Sequence, residues 1–457
     1  MSALHSRRAH FVNLICFTLL SLPAFGSNVT VDCSGSNHKV FSSIGAALNT
    51  LSLTGPNTIT VGGTCTENVV ISQFDRLTIQ AASGHVATVV NAANPPGITM
   101  LIAGSHNITL DNLIIEGGGS PATVYITSSS SAVLLQNCSV QNGAGDGMDV
   151  SMESELVVQN SNFTNNAAEG IFVAGESQVT MGTYPTQRIL ITGNGFGPCC
   201  TGNGNGGLAI DGSQVQLNFG VATISGNAGP GISMDGGRLL FFGGEAATPG
   251  VIENNNTGLT MNDAASATFF SAFNIANNAS TGISVNGASS ITFYSGIDSQ
   301  GKNTFTTIAG HSTVGLTLSQ SSAAQMYGPH VVSKNGSVNA DSGSRGGISL
   351  EGSSLTIGSG TLVSGNTGPG VRLGVKSDLI MFDMTVSNNT EQGVLETNLS
   401  AGGFYNPLTF TGNGEAPLSC DAFSVAFGDA GTIQGEACKN ITKSAGKRPT
   451  VPIPNVR

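Results

Sequence analysis

Charge is scarce in this chain, and most of what is present is acidic. Charged residues make up 9% of the sequence, tryptophan is absent, and there are 5 tyrosines in 457 residues. The formal net charge of −11 disfavours nucleic acid as a partner, because phosphate binding needs clustered lysine and arginine. The lack of tryptophan also means that few flat aromatic surfaces are available for stacking against sugar rings.

Long apolar runs are also missing, except for one near the N-terminus. That run, Phe11 to Leu22, follows Arg7 and Arg8 and precedes Ala24-Phe25-Gly26, which is the pattern of a secretory signal peptide. We therefore expect residues 1–26 to be a signal peptide and the mature protein to be secreted, extracellular or periplasmic. We expect no membrane span and a monomer.

Glycine is abundant, with 63 residues, and much of it belongs to a repeat. An Asn-rich turn, a glycine and an apolar-x-apolar segment recur, several times at intervals of 23 or 24 residues. The unit begins at Gly147, Gly170, Gly207, Gly231, Gly258, Gly282, Gly315, Gly347, Gly370 and Gly393. Strand periodicity places Ile171 and Val173 inward, and one turn cannot bury that face alone. The repeat predicts an all-β fold, a single right-handed parallel β-helix.

Asparagines and longer intervals add detail to this prediction. Asn tolerates left-handed backbone, so aligned Asn side chains are expected to form a ladder along the stack. The Asn residues that precede the repeated glycines are Asn142, Asn166, Asn227, Asn255, Asn278, Asn366 and Asn389. Longer intervals predict loops near Tyr184–Gly206, Ser299–Thr313 and Ser337–Gly346.

The two ends of the stack need protection. Apolar residues of Ser42–Leu51 fall on one helical stripe, so we expect an amphipathic helix that caps the N-terminal end. The expected divisions are an N-terminal cap over 27–69, the β-helix over 70–419, a C-terminal cap over 420–442 and a disordered tail over 443–457.

Cysteine positions suggest clips at both ends. We expect disulfides Cys33–Cys65 and Cys420–Cys438, because the compartment permits them. Cys138 has apolar flanks and is expected to be a buried free thiol. Adjacent Cys199 and Cys200 are compatible with a vicinal disulfide or with two thiols.

The segment from Phe41 to Gly84 contains FSSIGAAL, TITVGGTCTENVVI and LTIQAASG. It resembles the opening of pectin methylesterases and of related proteins in the pectin-lyase-like superfamily. The resemblance implies the β-helix fold over nearly the whole mature chain, but that fold hosts lyases, hydrolases, esterases, epimerases and non-enzymes. The catalytic segments of pectin methylesterases, pectate lyases and polygalacturonases are missing, and Gly310-His311-Ser312 is only a fragment of the last.

An acidic cluster is the main candidate site. Asp146 and Glu169 precede the glycine in adjacent repeats, and Asp149 follows in the strand, so stacking would bring the carboxyl groups together. Crowded carboxylates raise a pKa or bind a cation such as Ca²⁺. We expect these three as catalytic residues or metal ligands, unless they are acidic turn residues in water. The resemblance implies a Ca²⁺ that acidifies a uronic acid, with Arg188 as the nearest base.

Other polar groups are expected to be structural. Between the inward positions, the outward column is mostly small and neutral: Asp149, Phe172, Ala209, Ser233, Thr260, Ser284, Thr317, Ser349 and Arg372. A column after the strands is either turn chemistry or a cation-binding edge: Asp211, Asp235, Asn262, Asn286 and Glu351. A basic group could face an acidic sugar or be scattered surface charge: Lys334, Arg345, Arg372 and Lys376. The histidines are expected at the surface or in turns: His38, His85, His106, His311 and His330.

Two functions remain open from the sequence. The first is binding of an extracellular polysaccharide, with cleavage or epimerisation by a polysaccharide lyase, epimerase or hydrolase. No cofactor is required, although Ca²⁺ fits the acidic cluster. The second is a non-catalytic structural or adhesin-like surface solenoid, which the bland outward column and the absent motifs favour.

Overall fold

The chain winds into a right-handed parallel β-helix whose turns each supply strands to three faces. The computed structural model describes residues 26–35, 40–92, 97–182, 188–197, 205–218, 222–270, 272–429 and 441–443. The predicted signal peptide up to residue 25, His38, Cys199, Cys200, Cys438 and residues 444–457 lie outside the described residues. Within the described part, no helix is long and apolar enough to cross a membrane.

The first face is a sheet of 14 parallel strands. Its strands are Val69–Ser72, Met100–Ala103, Ala122–Thr127, Asp146–Val150, Ile171–Val173, Leu208–Asp211, Ile232–Asp235, Leu259–Asn262, Ile283–Val285, Val314–Ser319, Gly346–Glu351, Val371–Gly374, Val394–Glu396 and Leu418–Cys420.

The second and third faces join into one sheet of 29 strands, because Asp378–Ser387 and Ala401–Thr411 each run through both faces. The second face also contains Asn28–Asp32, Asn57–Gly62, Asp75–Ala81, His106–Asp111, Val133–Gln136, Glu155–Gln159, Gln178–Met181, Gln214–Asn218, Arg238–Phe242, Ser266–Phe270, Ser290–Tyr294, Ala323–Tyr327, Ser354–Ile357, Val425–Gly428 and Ile441–Lys443. The third face contains Thr64–Thr66, Ala87–Val90, Leu113–Glu116, Ser139–Gln141, Asn162–Thr164, Ile189–Thr192, Ala222–Ser225, Gly250–Glu253, Phe273–Ala276, Thr306–Ala309, Val331–Ser333 and Leu362–Ser364.

Period-two alternation fills the interior, as the repeat predicts. Ile171 and Val173 pair in register with Leu208 and Ile210 of the next turn, and all four are essentially fully buried. The repeated glycines are required by close approach: a Cβ on Gly170 would lie 2.8 Å from the backbone oxygen of the glycine one turn on. Their role is therefore tight stacking of turns.

Two adjacent polar columns form the turn between the third and first faces. Left-handed backbone occurs in the first column, where Asn142 has φ 56° and Asn165 has φ 57°. The next column is a buried amide ladder, in which Asn166 Nδ2 donates to Asn194 Oδ1 at 3.0 Å. The ladder runs through Asn166, Asn194, Asn227, Asn255, Asn278, His311, Asn335, Asn366, Asn389 and Asn413. The expectation that Asn142 belongs to the ladder is wrong, because Asn142 lies in the neighbouring left-handed column with Asn165.

Two of the histidines that were expected at the surface or in turns, His311 and His330, lie in turns between strands but are buried. His311 takes the place of an asparagine in the ladder: its Nδ1 accepts from the Asn278 N–H at 3.2 Å, and its Nε2 lies 3.0 Å from a carbonyl oxygen. His330 is equally buried. Burial lowers the pKa of each to about 4, so both are neutral at pH 7. His85 and His106 are exposed as expected.

The N-terminal helix forms, but it is shorter than predicted, spanning Ile44–Leu48 with Ser43 as its N-cap. Its backbone N–H groups at Ile44 and Gly45 donate to the Glu67 carboxylate at 2.6 and 2.9 Å. The Cys33–Cys65 disulfide is confirmed, with a Cα–Cα distance of 5.0 Å. Whether the helix protects the end of the stack stays a prediction.

Cys138 and Cys420 are the other cysteines in the described part of the chain. Cys138 is a buried free thiol, and burial raises its pKa to about 12. Cys420 is disulfide-bonded, and its predicted partner Cys438 lies outside the described residues.

The predicted loops are only partly loops. Third-face strands Ile189–Thr192 and Thr306–Ala309 lie inside the first two predicted insertions. An antiparallel hairpin of Gly296–Ile297 and Asn303–Thr304 precedes the second of these strands. The prediction is wrong there because third-face strands carry no glycine marker of their own.

Candidate functional site

The three predicted acidic residues lie around two neighbouring turns of the first face. Asp146 begins the strand Asp146–Val150, Asp149 lies within it, and Glu169 stands in the turn that precedes Ile171. Asp146 Oδ1 accepts the Glu169 backbone N–H at 3.1 Å. We call these three residues the acidic site.

The neighbouring Glu169 affects the pKa of Asp146. Burial raises the pKa of Asp146, and a side-chain hydrogen bond and the negative charge of Glu169 raise it further. A hydrogen bond between two carboxyl groups needs one proton. Asp146 therefore keeps its proton to a higher pH than an isolated carboxyl group does.

Asp149 has a different environment. It occupies an outward position of the strand, yet it is only 7% exposed, and its Oδ1 has no hydrogen-bond partner in the described structure. Burial raises the pKa of Asp149 to about 6, against a lowering hydrogen bond from Ser151. The expectation of a solvated outward column is thus wrong at Asp149.

Two aromatic residues flank Asp149. Tyr125 and Phe172 are its register partners in the turns before and after, where neighbouring strands lie about 4.8 Å apart. Both are half-buried, and the Ser151 hydroxyl donates to the Tyr125 hydroxyl at 3.2 Å. The sequence reasoning missed Tyr125 because its strand lacks the repeated glycine, although extending the outward column by one turn would have found it.

Arg188 does not join the acidic site. It directly precedes the third-face strand Ile189–Thr192 and lines a groove on that face. None of the described lysines or arginines lowers the pKa of Asp146 or Asp149. The proposed pairing of Arg188 with these carboxyl groups is therefore not supported by its position.

The three carboxyl groups of the acidic site do not by themselves form the ligand shell of a calcium ion, and calcium binding there stays a prediction. Ca²⁺ takes six to eight oxygen ligands at about 2.3–2.6 Å. Ligand oxygens of the three carboxyl groups do not all lie within 4.8 Å of one another. The one described group that is close enough is Cys33, Cys65 and Glu67, where disulfide sulfurs offer no thiolate.

The second predicted column lies at the strand ends of the first face. Asp211, Asp235 and Asn262 pair in register, and Asn286 Nδ2 donates to Asn262 Oδ1 at 3.3 Å. Burial and a hydrogen bond from Asp263 raise the pKa of Asp235. Asp263 was not predicted, because it lies one residue after the column.

The residues of the basic group differ in their partners and in their positions on the backbone. Arg345 makes an ion pair with Glu391 at 2.8 Å, while Lys334 and Lys376 occupy left-handed turn positions at φ 57° and 60°. Arg372 stands in the outward column of the first face, in register with Ser349. Whether these residues face an acidic sugar stays a prediction.

A buried carboxyl outside the predicted sites is Glu396. It faces inward on the first face and is fully buried, and burial raises its pKa to about 8. The sequence indicates this residue, because the segment that starts at Gly393 reads GVLE. It places Glu where the other nine repeats carry an apolar residue.

Comparison with known proteins identifies the architecture. The model of the family described as the right-handed β-helix region matches residues 57–215 and 257–424, so the chain belongs to this family. No curated protein sequence matches the chain.

Several solved structures are similar to this chain at low sequence identity. A pectate lyase, Pel9A, is 12% identical over 73% of this chain and 76% of its own, with a TM-score of 0.32. The catalytic unit of a GH87 α-1,3-glucanase from Streptomyces thermodiastaticus is 13% identical over 86% and 69%, with a TM-score of 0.36. The A-module of the Azotobacter vinelandii mannuronan C-5 epimerase AlgE6 is 13% identical over 81% and 91%, with a TM-score of 0.33.

Proposed function

We propose that this β-helix protein is secreted and acts on an extracellular polysaccharide at the acidic site. The observation that carries the proposal is Asp149, a nearly buried carboxyl of raised pKa held between Tyr125 and Phe172. A carboxyl that keeps its proton to about pH 6 is suited to protonate a leaving glycosidic oxygen. Aromatic side chains beside it supply apolar surface against which a sugar ring can pack.

The neighbouring pair supplies the second carboxyl that glycoside hydrolysis needs. Glu169, whose backbone N–H donates to the Asp146 carboxyl, is the second carboxyl that we propose as a base for water or as a nucleophile. Two environments thus separate the acid from the base within adjacent turns.

The charge of the site favours a neutral polysaccharide over a polyuronate. Three carboxyl groups without a neighbouring described cation would repel a uronic acid. A lyase or epimerase would need a base and a cation to stabilise the charge at the uronate, and Arg188 is on another face. Of the three enzyme classes, we therefore propose a hydrolase.

Hydrolysis of neutral and uronic polysaccharides, followed by released reducing ends, tests the proposal. We expect turnover of a neutral substrate, a loss of about a hundredfold or more in Asp149→Asn, and little change in Asp211→Asn, an exposed acid of the same face. Activity should fall as the pH rises through about 6. Turnover of polyuronates alone, dependent on added Ca²⁺, would overturn the hydrolase assignment.

The alternative is a non-catalytic structural or adhesin-like solenoid. The observation that favours it is the outward column from Ser233 to Ser349, which is small and neutral over five turns of the first face. Absence of turnover on every substrate, with unchanged stability and polysaccharide binding in Asp149→Asn, would favour this function.

A further inference from the structure

A groove of about 660 Å³ lies along the third face, away from the acidic site. Its floor is a column of outward residues, one from each of five consecutive turns, that pair in register. The floor residues are Ile114, Ser139, Asn162, Leu190 and Thr223. The floor of the groove therefore combines two apolar side chains with three that can form hydrogen bonds.

One edge of the groove is a column of amides that ends in an arginine. Asn112, Asn137 and Asn160 occupy left-handed turn positions at φ 58°, 54° and 46°. Arg188 follows in the same column, because Leu190 pairs with Asn162 in the next turn. The edge thus repeats a polar side chain once per turn, about every 4.8 Å.

The amides of this edge are held in place by one another. Asn160 Nδ2 donates to Asn137 Oδ1 at 2.8 Å, and Asn137 Nδ2 donates to Asp111 Oδ1 at 2.9 Å. Each amide has two N–H donors and two acceptor sites on its oxygen, so capacity for a ligand remains. Arg188 makes no ion pair with any residue in the described part of the chain.

These features select among ligand classes. The third-face strands are paired on both sides along the groove, so a peptide cannot add as an extra strand. A polyanion would meet a single arginine at one end and the Asp111 carboxylate near the other. Ordered amides and hydroxyls at a regular spacing match the hydroxyl groups of an extended sugar chain.

We propose that the third-face groove is a second, non-catalytic binding site for an extended oligosaccharide that is neutral except for one acidic sugar, placed beside Arg188. The amide edge hydrogen-bonds the neutral sugars, and the guanidinium binds the single carboxylate. The site is independent of the acidic site, because different faces of the helix carry the two.

Binding of a matched pair of probes to the full chain tests this proposal by calorimetry. The pair is xylotetraose and the same xylo-oligosaccharide bearing one glucuronate, with hexagalacturonate as the polyanion. We expect the singly acidic probe to bind about tenfold more tightly than the neutral one, and hexagalacturonate to bind more weakly than either. Failure of both xylo-oligosaccharides to bind, or strongest binding of hexagalacturonate, overturns the proposal.

Variants separate the roles of the two ends. Arg188→Gln should abolish the preference for the acidic probe but leave neutral binding, whereas Asn160→Gly should weaken both and still tolerate the left-handed backbone. The control is Asn107→Gly, which removes a left-handed Asn at φ 56° that bonds Asp75 outside the groove. Loss of binding in the control, or unchanged binding in both groove variants, contradicts the site.

A last variant distinguishes this proposal from the proposed enzymatic function. Asp149→Asn should abolish turnover while groove binding of the acidic probe stays within about twofold of the parent protein. If instead Asp149→Asn abolishes probe binding and the groove variants do not, the groove is not the binding site.

Discussion

Glu396 should make the C-terminal end of the helix less stable as the pH rises from about 4.5 to about 8. It lies between Leu373 and Cys420 in the inward column of the first face. Its Oε1 has no hydrogen-bond partner within the described residues, and its Oε2 lies 3.5 Å from Cys420 Sγ. Gly402 leaves the space for this carboxyl, because a Cβ there would collide with Oε1.

The magnitude follows from the shift in pKa. Burial raises the pKa of Glu396 from its ordinary 4.5 to about 8, and the like charge of Asp421 adds to this. Below pH 4.5 the carboxyl is protonated in both the folded and the unfolded chain, so its ionisation does not change the free energy of unfolding. Between these values only the unfolded chain ionises, so stability falls by about 1.4 kcal/mol per pH unit and by roughly 5 kcal/mol in total.

Glu396→Gln removes the ionisation but keeps the shape. The free energy of unfolding of this variant should not fall between roughly pH 4.5 and 8. The difference in this free energy between variant and parent should therefore shift by roughly 3 kcal/mol in favour of the variant from low pH to about pH 7. Urea unfolding across this range measures the slope, and hydrogen exchange at Val394–Glu396 reports the local effect. Glu155→Gln, an exposed carboxyl of the second face, is the control. Equal pH slopes in parent and Glu396→Gln would refute the reasoning.

Three further predictions follow from the packing. His311→Asn should extend the amide ladder and remove an acid-induced loss in the free energy of unfolding. In the parent protein this loss is up to about 3 kcal/mol between pH 6.5 and 4, because only the unfolded chain binds the proton there. Identical acid unfolding of variant and parent would contradict this prediction. Glu67→Ala should cost about 2 kcal/mol, since it leaves two helix N–H groups unpaired, and should speed hydrogen exchange at Ile44 and Gly45; Glu153→Ala, an exposed acid, is the control. Ile283→Asp should cost several kcal/mol because it puts an unpaired carboxyl in the core, whereas Ile283→Val should cost about 1 kcal/mol; a parent-like melting temperature for the Asp variant would disprove the inward register.

The sequence alone was sufficient for the architecture, because the repeat is local. Each turn of the helix contacts its neighbours through the same positions, so the alternation at Ile171 and Val173 predicts both the strand and its inward face. The Cys33–Cys65 pair could also be predicted, because these two residues bracket the N-terminal segment, and the buried Cys138 could be predicted from its apolar flanking residues.

Tertiary structure decided the chemistry, because environment and not residue type sets a pKa. Asp146, Asp149 and Glu169 were predicted as a cluster. Only the fold shows that Asp149 is buried between Tyr125 and Phe172, and that burial and the neighbouring Glu169 raise the pKa of Asp146. Identical carboxyl groups in water would have been indistinguishable.

The fold also decided which polar residues are interior. His311 belongs to the core because it aligns with the Asn ladder, an alignment that depends on the lengths of the intervening loops. Arg188 follows the acidic repeats closely in sequence, yet it lies on another face, because one turn of the helix carries the chain through three directions. Sequence distance within a turn therefore says little about spatial distance, whereas the same position in successive turns is always close, about 4.8 Å away.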